Sequence, residues 1–176
     1  MRTLKYFPAD AAKHKARVHQ LDFIGAFLQA NVKNRVFVKL DMRYAACFPE
    51  YSQYFGIALK LLNSMYGMTN SGKLFADELT EWLIKEGFML SQCKMSIYYK
   101  YAPDGSKIVV ISYVDDYVYW YTNEDIGKWF VDTLGKRFHV NFLGFTHWFM
   151  STRISQLKDH SISMDQAIYA TSIVAK

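Results

Sequence analysis

The chain has 176 residues, a length typical of one domain that buries a substantial core. It carries 21 Lys and Arg against 16 Asp and Glu, a net charge of +5, and 51% of its residues are hydrophobic. Such a composition excludes a disordered chain, and the presence of only 3 Pro and 9 Gly excludes collagen-like and low-complexity proteins.

The first half of the chain contains short strands and one clear helix. Apolar residues recur at helical spacing from Phe75 to Leu83, and Gly87 follows where a helix-ending glycine belongs. The patterns predict a strand over 17–23, a helical turn over 25–30, a strand over 35–40, an irregular connection over 42–56 and a helix over 72–86.

The second half alternates strands and helices. A Pro-Asp-Gly-Ser turn at 103–106 joins two apolar stretches. The patterns predict strands over 96–101, 107–113 and 117–121, a helix over 124–137, a hairpin of 147–157 with 161–164, and a helix from Asp165. This order favours an antiparallel α+β sheet, and no linker divides the chain into domains.

The positive charge is concentrated near the N-terminus. Nine of the basic residues lie at or before Arg43, against three acidic residues in the same segment. Two interpretations stay open: a face that binds nucleic-acid phosphates, or an ordinary solvated surface.

The cysteine content and the hydropathy pattern indicate a soluble intracellular protein. Cys47 and Cys93 form neither a CxxC pair nor a zinc-type cluster, which fits a reducing compartment. No apolar run resembles a signal peptide or a membrane span, so we expect no interaction with a membrane.

Two adjacent acids interrupt an apolar run at 108–120. Asp115 and Asp116 are either the solvent-facing tip of a hairpin or ligands of a divalent cation, because like charges placed together in a buried sheet need a compensating cation. Asp22 also ends a predicted strand, and the fold could bring it beside the pair. Three carboxylates at strand ends would suit magnesium.

The segment from Gly67 to Leu74 nearly matches a P-loop. It reads Gly67-Met-Thr-Asn-Ser-Gly72-Lys73-Leu74, but Leu74 stands where the motif requires Ser or Thr to hold magnesium. A P-loop NTPase is therefore an alternative that Leu74 argues against, and the simpler interpretation is a turn before a helix.

The acidic hairpin is one of five sequence blocks spread along nearly the whole chain. The blocks are His19-Gln-Leu-Asp22-Phe-Ile-Gly-Ala-Phe27-Leu, Lys60-Leu-Leu-Asn-Ser-Met-Tyr66-Gly67, Tyr113-Val-Asp-Asp116, His147-Trp-Phe-Met-Ser-Thr-Arg-Ile, and Asp165-Gln166 with Tyr169. In order and content they resemble the reverse transcriptase domain of copia-type LTR retrotransposons.

The resemblance implies a right-hand polymerase palm, an α+β fold with a ferredoxin-like antiparallel sheet, packed helices and partial fingers. It implies that residues 1–176 form a single reverse transcriptase domain, without thumb or RNase H. Asp22, Asp115 and Asp116 would be the catalytic and metal-binding carboxylates for two magnesium ions, with manganese as an alternative. The chemistry would be nucleotidyl transfer to a primer 3′-hydroxyl.

The resemblance also implies substrate contacts and partners. Phe27 would crowd the sugar 2′-position, and Asn70 and Tyr113 would lie at the substrate. Asn70 stands where the family usually has Gln, and Phe149-Met150 stands where it has Leu-Gly. Expected partners are an RNA or DNA template with primer, dNTPs, and the integrase and RNase H parts of a polyprotein, in the cytoplasm or in retrotransposon particles.

A second hypothesis is a catalytically degenerate fragment that binds nucleic acid nonspecifically.

Overall fold

The computed structural model describes residues 2–92, 96–113 and 116–174. The chain forms two compact units, which we call the sheet unit (Met1–Ile24 and Glu81–Lys176) and the small unit (Gly25–Thr80). Within the described ranges, strands pair antiparallel in each sheet and helices are interspersed with them. The mixed α+β class predicted from the sequence is confirmed.

A six-stranded antiparallel sheet forms the centre of the sheet unit. Its strands are β1 (Val18–Phe23), β4 (Met89–Leu90), β5 (Ser96–Tyr101), β6 (Lys107–Tyr113), β7 (Asp116–Tyr121) and β8 (Val140–Phe145). Their order in the sheet is β4-β5-β6-β7-β1-β8, so β1 lies between β7 and β8 although it is far from both in sequence.

Both faces of the central strands are buried. On one face, Trp120 and Val18 belong to a core that includes Phe7 of helix α1 (Arg2–Lys13). On the other face, the ring of Tyr119 lies 5.2 Å from that of Phe130 in helix α4 (Glu124–Arg137). This two-sided burial explains why β6 and β7 are apolar runs that lack the alternation of a half-exposed strand.

The two helices predicted from periodicity are confirmed. Helix α3 spans Ser71–Lys85 and is followed by Gly87 with a φ of 86°. Helix α4 begins after Asn123, whose side chain accepts a hydrogen bond from the Asp125 N–H. Acidic residues in its first turn and basic residues in its last turn match the helix dipole.

One expectation for the small unit is wrong. The segment 42–56 is not irregular: it contains helix α2 (Met42–Cys47) and a 3₁₀ helix over Pro49–Tyr54. Asp41 caps α2 by accepting a hydrogen bond from the Tyr44 N–H at 3.0 Å. The unit also holds a two-stranded sheet of β2 (Phe37–Lys39) and β3 (Ala58–Lys60).

The C-terminal segment forms a separate three-stranded sheet. The predicted hairpin is present, but its first arm is not one strand, because the chain turns at Met150 and Ser151. Met150, where the family pattern has Gly, has a left-handed φ of 50°. The elements are β9 (Trp148–Phe149), β10 (Thr152–Gln156), β11 (Ile162–Asp165) and helix α5 (Ala167–Val174).

Replacing Ser151 with Gly is expected to raise the free energy of unfolding by about 1 kcal/mol. Ser151 has a φ of 57°, which is strained for a side chain with a Cβ, and it is exposed, so truncation removes little packing. Urea unfolding measures the change. The control is Ser155→Gly in extended strand β10, which is expected to lose about 0.5–1 kcal/mol; a loss at both positions would contradict the prediction.

Among the described residues, no helix is both long and apolar enough to cross a membrane. The one free cysteine in this part of the chain, Cys47, is exposed. Cys93 lies outside the described residues.

Candidate active site

Asp22 and Asp116 lie at the same end of the central sheet. Strand β1 pairs with β7 in a register that matches Val18 with Trp120 and Leu21 with Tyr117. One further step in this register places Asp22 opposite Asp116. Directly opposite residues of antiparallel strands project from the same face, with Cβ atoms about 4.5–5.5 Å apart. The fold therefore brings together two of the three carboxylates predicted from sequence.

Two further polar residues continue this row across the sheet. Tyr113 pairs with Asp116 at the end of the β6–β7 hairpin, and Asn141 pairs with Asp22 on β8. Tyr113 is 42% exposed, Asp22 and Asn141 are exposed, and Asp116 is half-buried. The row Tyr113, Asp116, Asp22 and Asn141 is therefore open to solvent and to a ligand.

Sequence reasoning did not single out Asn141. No motif in the sequence contains it, and its place beside Asp22 follows only from the pairing of β1 with β8. Backbone hydrogen bonding continues past the pair, since the Ile24 N–H donates to the His139 carbonyl at 2.9 Å. This hydrogen bond holds in place the end of β1 that carries Asp22.

The third predicted carboxylate, Asp115, lies outside the described residues. In the part of the chain that is described, no group of three or more His, Cys, Asp or Glu side chains is placed to hold a metal ion. Asp22 and Asp116 alone contribute two carboxylates on one face of the sheet. Carboxylate oxygens at an open strand end fit the ligand preference of Mg²⁺, which retains several waters and binds substrate phosphates.

Phe27 and Asn70 both belong to the small unit. Phe27 lies in a 3₁₀ turn (Ala26–Gln29), and its ring packs edge-on against that of Tyr66 at 5.5 Å. Its carbonyl accepts a hydrogen bond from the buried Ser64 hydroxyl. The fold thereby brings Phe27 of the first sequence block against Tyr66 of the second.

The segment around Asn70 is a turn that leads into helix α3. Asn70 is exposed, and its carbonyl accepts a hydrogen bond from the Leu74 N–H at 2.9 Å. Residues 61–66 do not form a strand, and Gly72 lies inside α3. A P-loop follows directly on a strand, so the structure does not favour a P-loop NTPase.

Comparison with known families matches residues 1–176 to the model described as reverse transcriptase (RNA-dependent DNA polymerase). The chain belongs to the reverse transcriptase family. Searches of curated proteins and of solved structures returned no match to this reverse transcriptase chain.

Family membership indicates the ligands of the protein. A reverse transcriptase interacts with a nucleic-acid template and with dNTPs, both of which carry phosphates. In this reverse transcriptase chain the described carboxylates Asp22 and Asp116 lie on strands held in a buried sheet. Their positions are set by the backbone pairing of β1 with β7.

Proposed function

We propose that this chain is the reverse transcriptase domain of a copia-type retrotransposon polyprotein. It would add deoxynucleotides to the 3′-hydroxyl of a primer annealed to an RNA or DNA template. The observation that supports the proposal is the β1–β7 register: it pairs Leu21 with Tyr117 and, continued by one step, sets Asp22 opposite Asp116, in a chain that the family model matches over residues 1–176. The copia-type assignment rests on the five sequence blocks.

Asp22 and Asp116, with Asp115 beside them in sequence, would hold two magnesium ions, for which manganese could substitute. Bound there, the ions would lower the pKa of the primer 3′-hydroxyl and stabilise the charge on the leaving pyrophosphate. The protein itself would contribute a fixed position for the carboxylates. Because β1 and β7 are central strands, their backbone hydrogen bonds hold the carboxylates in place.

Substrate selection is proposed for three residues. Phe27 would lie against the sugar 2′-position and discriminate against ribonucleotides, and its packing on Tyr66 supports a fixed ring position. Asn70 would contact the nascent base pair from an exposed turn. Tyr113, opposite Asp116, would contact the primer end or the incoming nucleotide.

The proposed architecture is a polymerase palm of ferredoxin-like topology, formed by the sheet unit, with partial fingers formed by the small unit. The antiparallel six-stranded sheet with helix α4 packed against β6 and β7 supports a palm. The polyprotein partners would be an integrase and an RNase H, in the cytoplasm or in particles.

The test is primer extension on an RNA template with magnesium and dNTPs, comparing the parent chain with Asp115→Asn. Template-dependent extension by the parent and its loss in the variant is the expected result. Equal extension by both would remove the proposed site. If neither extends the primer but the chain binds nucleic acid with a steep salt dependence, it is a degenerate binding fragment.

A further inference from the structure

A pocket of about 450 Å³ lies in the sheet unit at the other end of β1 from Asp22. His19 lines it, three residues before Asp22, which corresponds to about 10 Å along a strand. The volume falls in the range of small-molecule sites. The pocket is thus separate from the carboxylate row and has no role in the proposed polymerase chemistry.

One wall of the pocket is a series of stacked rings. The His19 ring stacks on that of Tyr121, with centroids 5.1 Å apart and an interplanar angle of 19°, and packs on that of Phe145 at 5.1 Å. The Arg17 guanidinium lies 5.7 Å from the Phe145 ring, and the Tyr121 hydroxyl donates to the Glu124 carboxylate at 3.2 Å. The rings therefore stand between a cation and a carboxylate.

The His19 ring gives the pocket an aromatic surface and no positive charge. Burial lowers the pKa of His19 below its ordinary value, although the negative charge of Glu124 opposes this effect. At neutral pH the ring is then neutral. Burial also raises the pKa of Tyr121, so its hydroxyl keeps the proton that it donates to Glu124.

Two lining residues have strained backbones. Lys15 and His160 adopt left-handed φ angles of 54° and 68°, which are unfavourable for residues with a Cβ; Lys15 follows the end of helix α1 and His160 lies in the turn between β10 and β11. The Nδ1 atom of His160 is buried and has no hydrogen-bond partner among the described residues. A buried polar atom without a partner is uncommon in folded proteins, and the residue that carries it lines this pocket.

We propose that this pocket binds a nucleotide. The phosphate would lie by the cations Lys15 and Arg17 and accept a hydrogen bond from His160, and the base would pack on the aromatic wall. Glu124 would accept a hydrogen bond from an amino group on the base. A nucleotide thus offers a phosphate to the cations, an aromatic base to the rings and an amino group to the carboxylate. The ligand is either a free nucleotide or one nucleotide of a single strand.

Calorimetric titration with adenosine monophosphate, inorganic phosphate and an oligo(dA) strand tests the proposal. EDTA is present, so that metal-dependent binding at the carboxylate row does not contribute. Saturable binding of adenosine monophosphate and the strand indicates the free nucleotide, and binding of the strand alone indicates the strand. Inorganic phosphate is expected to bind more weakly than either.

His160→Gly and Lys15→Gly are the informative variants, because glycine adopts a left-handed φ without strain and both changes keep the turns. Each is expected to weaken binding about tenfold or more through loss of a charge-assisted contact. Lys128→Gln changes an exposed α4 residue that does not line the pocket; it is the matched control and should bind like the parent. Absence of binding, or equal affinity in the parent and in both glycine variants, would overturn the proposal.

Discussion

Replacing Asp22 with Asn is expected to lower dNTP incorporation by about three orders of magnitude. The variant keeps the size and shape of the side chain but removes one of the two described carboxylates of the proposed metal site. Metal charge supplies several kcal/mol of transition-state stabilisation, and each 1.36 kcal/mol corresponds to about tenfold in rate. Single-nucleotide extension under saturating magnesium measures the loss.

The same variant is expected to fold at least as stably as the parent when EDTA is present. The β1–β7 register, continued by one step, sets Asp22 opposite Asp116 on the same face, and like charges directly opposite in a sheet are destabilising by about 0.2–1 kcal/mol. Removing one charge relieves this repulsion. Urea unfolding of the parent and the variant measures the sign of the change.

The combination of these two readouts separates a catalytic role from a structural one. Asp132→Asn is the matched control, because Asp132 is an exposed carboxylate on α4, away from the strand end. It is expected to retain parental incorporation. Parental activity in Asp22→Asn would contradict the site, and loss of activity together with a comparable loss of stability would assign Asp22 to the fold instead.

Local signals in the sequence predicted the elements on which this site is built. The turn residues at 103–106 and the apolar runs on either side of the acidic pair act within a few residues of one another. Such features are set by short-range hydrogen bonding and periodicity. The β5–β6 and β6–β7 pairings were therefore open to prediction from the residues alone.

The features that the residues alone did not predict depend on distant contacts. Helix α1 contains Pro8, which lacks an N–H donor, and it packs through Phe7 and Ala11 into the core. Helix α2 is too short to show a clear periodic pattern. Asp22 meets Asp116 only through the pairing of β1 with β7. No local pattern specifies that pairing: the strand-end position only allowed Asp22 to lie beside the pair, and the family resemblance then selected it.

Trp120→Ala is expected to lower the free energy of unfolding by about 3–5 kcal/mol. Trp120 has no exposed surface and stands in the core that joins α1 to the central sheet. Its ring stacks on that of His14 at 5.2 Å, and the Lys107 ammonium lies 5.0 Å from it. Domains have only about 5–15 kcal/mol of stability, so urea unfolding should show a large shift in midpoint.

Trp120→Phe distinguishes the loss of packing from the loss of a polar contact. The indole N–H of Trp120 is buried and has no hydrogen-bond partner in the part of the chain that the structure describes, so the native residue already carries a penalty of about 1–3 kcal/mol. Phenylalanine removes that penalty, retains an aromatic ring against His14, and leaves a smaller cavity than alanine. We therefore expect Trp120→Phe to cost less than half as much as Trp120→Ala. Equal costs for the two variants would mean that the indole N–H has a partner that stabilises the fold.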